Sequence, residues 1–260
     1  MNHQWPVVRR FHSWLLMFGS FSATADEVSV AVAANFAAPM EHIATRFTQD
    51  TGDKLVISYG ATGKFYAQIK NGAPFEVFLS ADQKHPQKLI QEKQAIPGSE
   101  FTYAIGKLVL WSPKPNQVNH YGDVLKSSSF KHLAMANPKL APYGIAAKEV
   151  LEKGGFWDRY QDRLVLGENI TQAHQFVATG NAELGFVALS QIKKQGKELE
   201  GSFWMIPQKM YSPLKQQAVL LKRGKESAAA KRFVEYLKSD KARTIIQEFG
   251  YELQKSESHD

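Results

Sequence analysis

The sequence predicts an α/β protein with two lobes, each a doubly wound sheet flanked by helices, joined by two crossover strands. Predicted strands and helices alternate along the chain, as in doubly wound sheets. A long strand-like run at 101–111 contains Gly106, which suits a crossover between two lobes. The chain has 260 residues and is 43% hydrophobic, so it can bury a substantial core and is not a disordered protein.

The N-terminal 25 residues have the pattern of a signal peptide. Arg9 and Arg10 form a positive start, and residues 11–21 form a short apolar run. Ala23-Thr24-Ala25 fits the small-residue cleavage pattern, which would leave Asp26 as the new N-terminus. The apolar run is too short for a membrane span, which needs about 20 residues. We therefore expect residues 1–25 to be removed from a protein that is exported.

The first lobe begins with residues 28–34, a run of small and β-branched side chains that is typical of a strand buried on both faces. Asn35 opens a helix whose apolar side chains recur at helical spacing, and Gly52 ends it. The next predicted elements are a strand at 54–59, a turn at 60–63, a helix ending at 71–72, a strand at 75–80 and a polar helix at 82–94.

The second lobe follows the crossover and repeats the alternation. Its predicted elements are strands at 133–137, 164–166 and 183–188 and helices at 143–151 and 172–177. A strand at 217–221 and one long amphipathic helix at 227–249 complete the chain. We predict a first lobe from residues 26–105, a second lobe from 106–215, and a return to the first lobe at 216–260 with a C-terminal helix.

Composition excludes several classes of function. The chain has no cysteine, which rules out disulfides, thiolate metal sites and thiol catalysis. Its formal charge of +7 is spread along the chain, whereas a nucleic-acid binder usually concentrates basic residues in one stripe. We therefore expect no nucleic-acid partner.

Three strand-to-helix turns, at 34–36, 60–63 and 141–144, could form a ligand site. Ligands of open α/β sheets bind beyond the carboxyl ends of the strands, and helix N-termini there offer free N–H groups and a positive dipole end. Such turns bind anions without a charged side chain. Each turn alone could equally be an ordinary helix cap.

No catalytic motif is recognisable. The Gly63-Lys64 pair does not belong to a phosphate-binding loop, because Ser58 and Phe65 occupy positions where that motif needs Gly and Ser or Thr. The chain lacks the H-E-x-x-H pattern of zinc proteases and the G-x-S-x-G pattern of hydrolases. The sequence therefore favours an exported binding protein over an enzyme.

Five segments resemble the periplasmic molybdate-binding proteins of molybdate ABC transporters. They are residues 28–47, 58–89, 101–115, 137–151 and 183–192. The most specific is NGAPFEVFLSADQK at 71–84, since its G-A-P and S-A-D elements recur in that family. The resemblance extends from about residue 28 to residue 250.

This resemblance implies a periplasmic-binding-protein fold whose two lobes close over one tetrahedral oxyanion, molybdate or tungstate. It also implies delivery of the anion to ABC permease subunits at the membrane by a monomer. No cofactor is expected beyond the ligand, and the protein should bind the anion through its oxygens rather than coordinate the metal.

The resemblance also implies which residues bind the ligand. Ala34 and Asn35 lie in the first turn, and Thr62 in the second should offer both its hydroxyl and its N–H. Tyr143 and Ile170 should each contribute a backbone N–H. Ala34 has no hydroxyl, unlike the Ser or Thr of one family branch, so the first turn keeps the Asn35 N–H and its side-chain amide.

One family branch has a ligand-binding tyrosine at the position of Ala188, so this chain belongs with the branch that lacks it. Two alternatives stay open at this stage. The site could bind another tetrahedral oxyanion, such as sulfate or phosphate, or the protein could be a ligand-sensing module with the same fold.

Overall fold

The structure is a computed structural model that describes residues 26–127, 129–193, 196 and 198–254, together with Met1. The predicted signal peptide lies outside these residues except for Met1. Ten strands in the described part form two five-stranded sheets. The strands are β1 Glu27–Ala33, β2 Lys54–Gly60, β3 Val77–Ser80, β4 Phe101–Gly106, β5 Leu108–Ser112, β6 Leu133–Ala136, β7 Leu164–Gly167, β8 Leu184–Ala188, β9 Ser202–Met205 and β10 Leu214–Leu220.

The first sheet has the strand order β2-β1-β3-β10-β4. Strand β1 pairs in parallel with both β2 and β3, and this central position explains its run of small and β-branched side chains. Strand β10 is antiparallel to β3 and β4. The predicted buried first strand is confirmed.

The second sheet has the order β7-β6-β8-β5-β9. Strand β6 is parallel to β7 and β8, whereas β5 is antiparallel to β8 and β9. In each sheet four strands thus run in one direction, and a single strand, β10 in the first sheet and β5 in the second, runs opposite to them. The α/β class with two doubly wound lobes is confirmed.

Helices cover both faces of each sheet. They are α1 Ala37–Thr51, α2 Thr62–Lys70, α3 Lys84–Gln91, α4 Val124–Ser127, α5 Pro142–Lys153, α6 Trp157–Tyr160, α7 Ile170–Ala178, α8 Leu189–Ile192, α9 Ala228–Tyr236 and α10 Asp240–Glu248. In the first lobe, α1, α9 and α10 pack on one sheet face, and α2 and α3 pack on the other. In the second lobe, α5 and α7 lie on opposite faces.

The chain crosses between the sheets twice. The predicted run at 101–111 is two strands, β4 and β5, which lie in different sheets and meet at Lys107. The return crossing lies between β9 and β10. The predicted lobe boundaries after residues 105 and 215 fall inside β4 and β10, because each of these strands extends to the crossing itself.

The single helix predicted at 227–249 is wrong. The chain forms α9 and α10, and Ser239 between them caps α10, since its Oγ accepts a hydrogen bond from the Ala242 N–H at 3.3 Å. The apolar stripe continues across the break, which is why spacing alone suggested one helix. None of the helices in the described residues is long and apolar enough to cross a membrane.

The topology fixes where a ligand site can lie. Parallel strands β1, β2 and β3 end at one edge of the first sheet, and β6, β7 and β8 end at one edge of the second. Helices α1, α2, α5 and α7 begin just after these strand ends. The two edges face each other, as shown by the hydrogen bond from Gly63 N to Leu140 O at 2.9 Å.

Candidate anion-binding site

Four helix starts from the two lobes converge on one small pocket. In the first lobe these are the short 3₁₀ turn Ala34–Phe36 before α1 and the first residue of α2, Thr62. In the second lobe they are the starts of α5 and α7. The pocket is lined by Ala33, Ala34, Asn35, Gly60, Ala61, Thr62, Ala81, Ala141, Pro142, Tyr143, Asn169 and Ile170.

All five predicted ligand-binding residues line this pocket. Ala34, Asn35, Thr62, Tyr143 and Ile170 are each buried, although they come from opposite lobes and are up to 136 positions apart. The structure therefore brings the predicted set together. Their contact with a ligand stays a prediction.

In the first lobe, Thr62 offers the strongest side-chain donor. It is only 1% exposed, and its Oγ1 accepts a hydrogen bond from the Ala81 N–H at 3.0 Å. Since that bond uses an oxygen lone pair, the hydroxyl proton can point into the pocket. The Thr62 N–H belongs to the first turn of α2, where the helix itself provides no acceptor.

In the second lobe, the helix starts leave specific N–H groups for a ligand. The Asn169 side chain caps α7 by accepting from the N–H groups of Thr171 and Gln172, both at 3.0 Å. This leaves the Ile170 N–H outside the cap. At α5, Pro142 has no N–H, so Tyr143 supplies the first donor of that helix.

Asn35 corrects one expectation. Its side-chain amide was expected to be able to reach the ligand, but Nδ2 donates to Gln216 Oε1 at 2.8 Å and to Tyr251 Oη at 3.0 Å. Both amide protons are thereby used within the protein. The Asn35 backbone N–H is the group that this residue can still offer to the pocket.

Direct contacts hold the two lobes together around the pocket. Thr171 Oγ1 donates to the Ala34 carbonyl at 3.2 Å, next to the bond from Gly63 to Leu140. Lys64 Nζ and Glu168 Oε2 form an ion pair across the cleft at 2.5 Å. Lys64, which the sequence excludes from a phosphate-binding loop, therefore bridges the two lobes.

The pocket is electrically positive without containing a charged side chain among its described lining residues. Each helix N-terminus contributes roughly half an elementary charge, and four such termini meet here. The ion pair of Lys64 with Glu168 is outside the lining and has no net charge. Among the described residues, no group of three or more His, Asp or Glu side chains could hold a metal ion. The arrangement suits an anion that accepts hydrogen bonds on all sides.

Buried tyrosines lie behind the pocket and stay neutral. Burial raises the pKa of the Tyr251 hydroxyl to about 12 and raises the pKa values of Tyr103 and Tyr143 well above the ordinary range. Their hydroxyl groups therefore keep their protons at physiological pH and add no negative charge behind the anion site.

Sequence reasoning missed several residues of the site. Asn169 lines the pocket and caps α7, and an Asn just before an apolar helix was a readable signal for such a cap. Tyr251 and Ser190 contact Asn35 from 216 and 155 positions away, and no local pattern announces such contacts. Ala188 is buried but is not among the pocket-lining residues.

Two α/β lobes, two crossings between them and a pocket of converging helix N-termini define a two-lobed ligand-binding protein. The chain belongs to the family of bacterial extracellular solute-binding proteins, whose family model matches residues 28–252.

Similar proteins narrow the class further. The molybdate-binding protein ModA of Azotobacter vinelandii is 58% identical over 233 residues, which cover 90% of this chain and 92% of that protein. ModA of Rhodobacter capsulatus is 52% identical over 237 residues, covering 91% and 92%. The solved structure of the Azotobacter vinelandii periplasmic molybdate-binding protein matches with a TM-score of 0.86 and 46% identity, covering 88% of this chain and 100% of that chain.

Proposed function

We propose that this protein captures molybdate, and its close analogue tungstate, in the pocket between its lobes and delivers it to an ABC permease. The observation that carries the proposal is the convergence of four helix N-termini on a pocket whose lining, among the described residues, has no charged side chain. Relatives that are 58% and 52% identical and are named for molybdate binding support the identity of the anion.

The chemistry of the ligand fits these donors. Molybdate carries two negative charges near neutral pH, and its four oxygens only accept hydrogen bonds. Backbone N–H groups of Asn35, Thr62, Tyr143 and Ile170, with the Thr62 hydroxyl, could surround it from both lobes. Because the donors are fixed by helices, they bind the anion without ordering long flexible side chains.

Selection against sulfate follows from size. Sulfate has the same charge but shorter bonds to oxygen, so a rigid closed pocket fitted to molybdate would stretch its hydrogen bonds. Each buried donor left without an acceptor costs about 1–3 kcal/mol. Two such donors would separate the two anions by roughly 2–6 kcal/mol, a factor of about 30 or more in affinity.

We propose that the protein acts as a monomer in the periplasm after removal of residues 1–25. Closure of the lobes on the anion would form a continuous surface from both lobes, which the permease could distinguish from the open form. The names of the relatives describe binding proteins, which supports a transport role rather than catalysis.

Isothermal titration with molybdate, tungstate, sulfate and phosphate tests this function, using protein expressed from the full-length sequence. One-to-one binding of molybdate and tungstate at least 30-fold tighter than that of sulfate and phosphate is expected. Tight binding of sulfate or phosphate would keep the site but change its ligand. No binding of any of the four anions would refute the function.

A further inference from the structure

A chain of buried polar side chains lies behind the pocket and joins the lobes. Its members are Asn35, Tyr103, Gln216 and Tyr251 from the first lobe and Tyr143 and Ser190 from the second; all six are at most 5% exposed. Asn35 and Tyr143 also line the pocket. The network therefore contacts the candidate ligand site from both sides of the cleft.

Hydrogen bonds hold both the backbone carbonyl and the side-chain amide nitrogen of Asn35. Its carbonyl accepts from Tyr251 Oη at 2.7 Å and from Ser190 Oγ at 2.9 Å. Its Nδ2 donates to Tyr251 and to Gln216. These bonds hold Asn35 through both its carbonyl and its side chain, which restrains its backbone and with it the direction of its N–H.

Tyr251 is itself anchored where the chain crosses between lobes. The segment around it pairs with the end of β4, as Ile105 N donates to Glu252 O at 2.7 Å and Glu252 N donates to Ile105 O at 3.0 Å. The Tyr251 ring packs edge-on against Phe36, with 5.4 Å between ring centroids. Its hydroxyl lies 3.0 Å from Ser190 Oγ in the second lobe.

A second connection joins the same network to Tyr143. Gln216 Oε1 accepts from Asn35, and Gln216 Nε2 donates to Tyr143 Oη at 3.3 Å. Gly106 makes room for this contact, since a Cβ atom there would overlap the Tyr143 hydroxyl. The side chain of Tyr143 thus contacts the strands at the crossing, while its backbone N–H lies at the start of α5 in the pocket.

We infer that Tyr251 is a positioning residue for the anion site. Its hydroxyl donates to the Asn35 carbonyl, which also accepts from Ser190 of the second lobe, so that docking of the second lobe and orientation of the Asn35 N–H toward the ligand are coupled. This inference rests on the proposed function. It assigns a role in ligand retention to a residue that does not line the pocket.

The test compares Tyr251→Phe with Tyr103→Phe. The Tyr103 hydroxyl is also buried, and it donates to Gln216 Oε1 at 3.0 Å and lies 3.2 Å from Ser80 O, all within the first lobe. Both variants lose one buried hydroxyl from the same network. Only Tyr251→Phe removes a hydrogen bond from the Asn35 carbonyl and a contact with the second lobe.

Tyr251→Phe should weaken sodium molybdate binding by about 10- to 100-fold, mainly through faster dissociation measured by stopped-flow. Tyr103→Phe should change the affinity by less than threefold, although the melting temperatures of both ligand-free variants should fall. Ser190→Ala, which removes the other donor to Asn35 O, should weaken binding as well. The Tyr251→Phe and Ser190→Ala effects should combine less than additively, because both act on one carbonyl.

Two results would overturn the inference while the proposed function stands. One is wild-type binding of molybdate together with Tyr251→Phe binding within threefold of it. The other is an equal loss of affinity in Tyr103→Phe, which would indicate a general effect on the core. Failure of the unaltered protein to bind molybdate would instead refute the proposed function.

Discussion

Replacing Thr62 with Val separates the two roles that its hydroxyl can have. The hydroxyl oxygen accepts from the Ala81 N–H at 3.0 Å, and we propose that its proton is donated to the anion. Valine has nearly the same shape as threonine but neither donates nor accepts. The substitution should therefore leave a buried N–H of Ala81 without its partner and also remove one donor from the ligand.

The two losses have different magnitudes and appear in different measurements. A hydrogen bond to a charged group contributes about 1.5–3 kcal/mol, so the dissociation constant for molybdate should rise by about 10- to 150-fold. The unpaired Ala81 N–H should lower the free energy of unfolding of the ligand-free protein by about 1–3 kcal/mol. Both partners are almost fully buried, so solvent would compensate little.

Isothermal titration with molybdate and urea unfolding without ligand would measure these two effects. Thr62→Ser is the matched control, since it keeps the hydroxyl and loses one methyl group, which costs about 0.8 kcal/mol. Its affinity should stay within about fivefold of the wild type. Wild-type affinity in Thr62→Val, with the expected loss of unfolding free energy, would show that the hydroxyl does not touch the anion.

Three further predictions concern closure, charge and pH. Gly63→Ala would bring a methyl group to 3.0 Å from Leu140 O across the cleft. Molybdate affinity should therefore fall several-fold in titration, while the urea midpoint without ligand stays near the wild type. Unchanged affinity would mean that the lobes can move apart at this contact. Asn169→Asp keeps an oxygen to cap α7 but places a carboxylate in the pocket lining. Molybdate binding should therefore weaken at least tenfold relative to Asn169→Ser. Equal binding by the two variants would contradict the position given to the anion. The buried Tyr251 hydroxyl has a pKa of about 12 against an ordinary value near 10. Its contribution to the free energy of unfolding is therefore complete below pH 10 and is lost as the pH rises toward 12. Urea unfolding of the wild type from pH 8 to 11 should show this fall in the free energy of unfolding, and Tyr251→Phe should show a smaller fall.

Local patterns carried most of the fold prediction. The β-branched run of β1, the glycine that ends α1 and the strand–helix alternation all depend on neighbours in sequence, and each appears in the structure. The five predicted site residues share one pocket because the resemblance located them at strand ends, which the topology then brings together. The crossing near Gly106 was also readable as a glycine inside an apolar strand pattern.

Predictions failed where long-range contacts or competing local signals decide the outcome. Apolar spacing runs through α9 and α10, and only the capping side chain of Ser239 separates them. From the sequence, the side-chain amide of Asn35 could face either the ligand or the core. In the structure it faces the core, because it donates to Tyr251, which is 216 positions away. The ion pair of Lys64 with Glu168 exists because two lobes meet, which no window of sequence reveals.

The absence of charge among the described pocket-lining residues has a consequence for selectivity. A lysine or arginine in the lining would attract every dianion strongly, and its flexible side chain could follow a smaller anion inward. Helix N-termini cannot move in this way without shifting whole elements that are packed in the cores of both lobes. Attraction by fixed dipoles therefore makes affinity depend on the distance between each donor and the oxygens of the anion. That distance distinguishes molybdate from sulfate, because sulfate has shorter bonds to its oxygens. On this reasoning, the residues that fix the donors, including Asn169 at the start of α7 and Tyr251 behind Asn35, determine selectivity as much as the donors themselves.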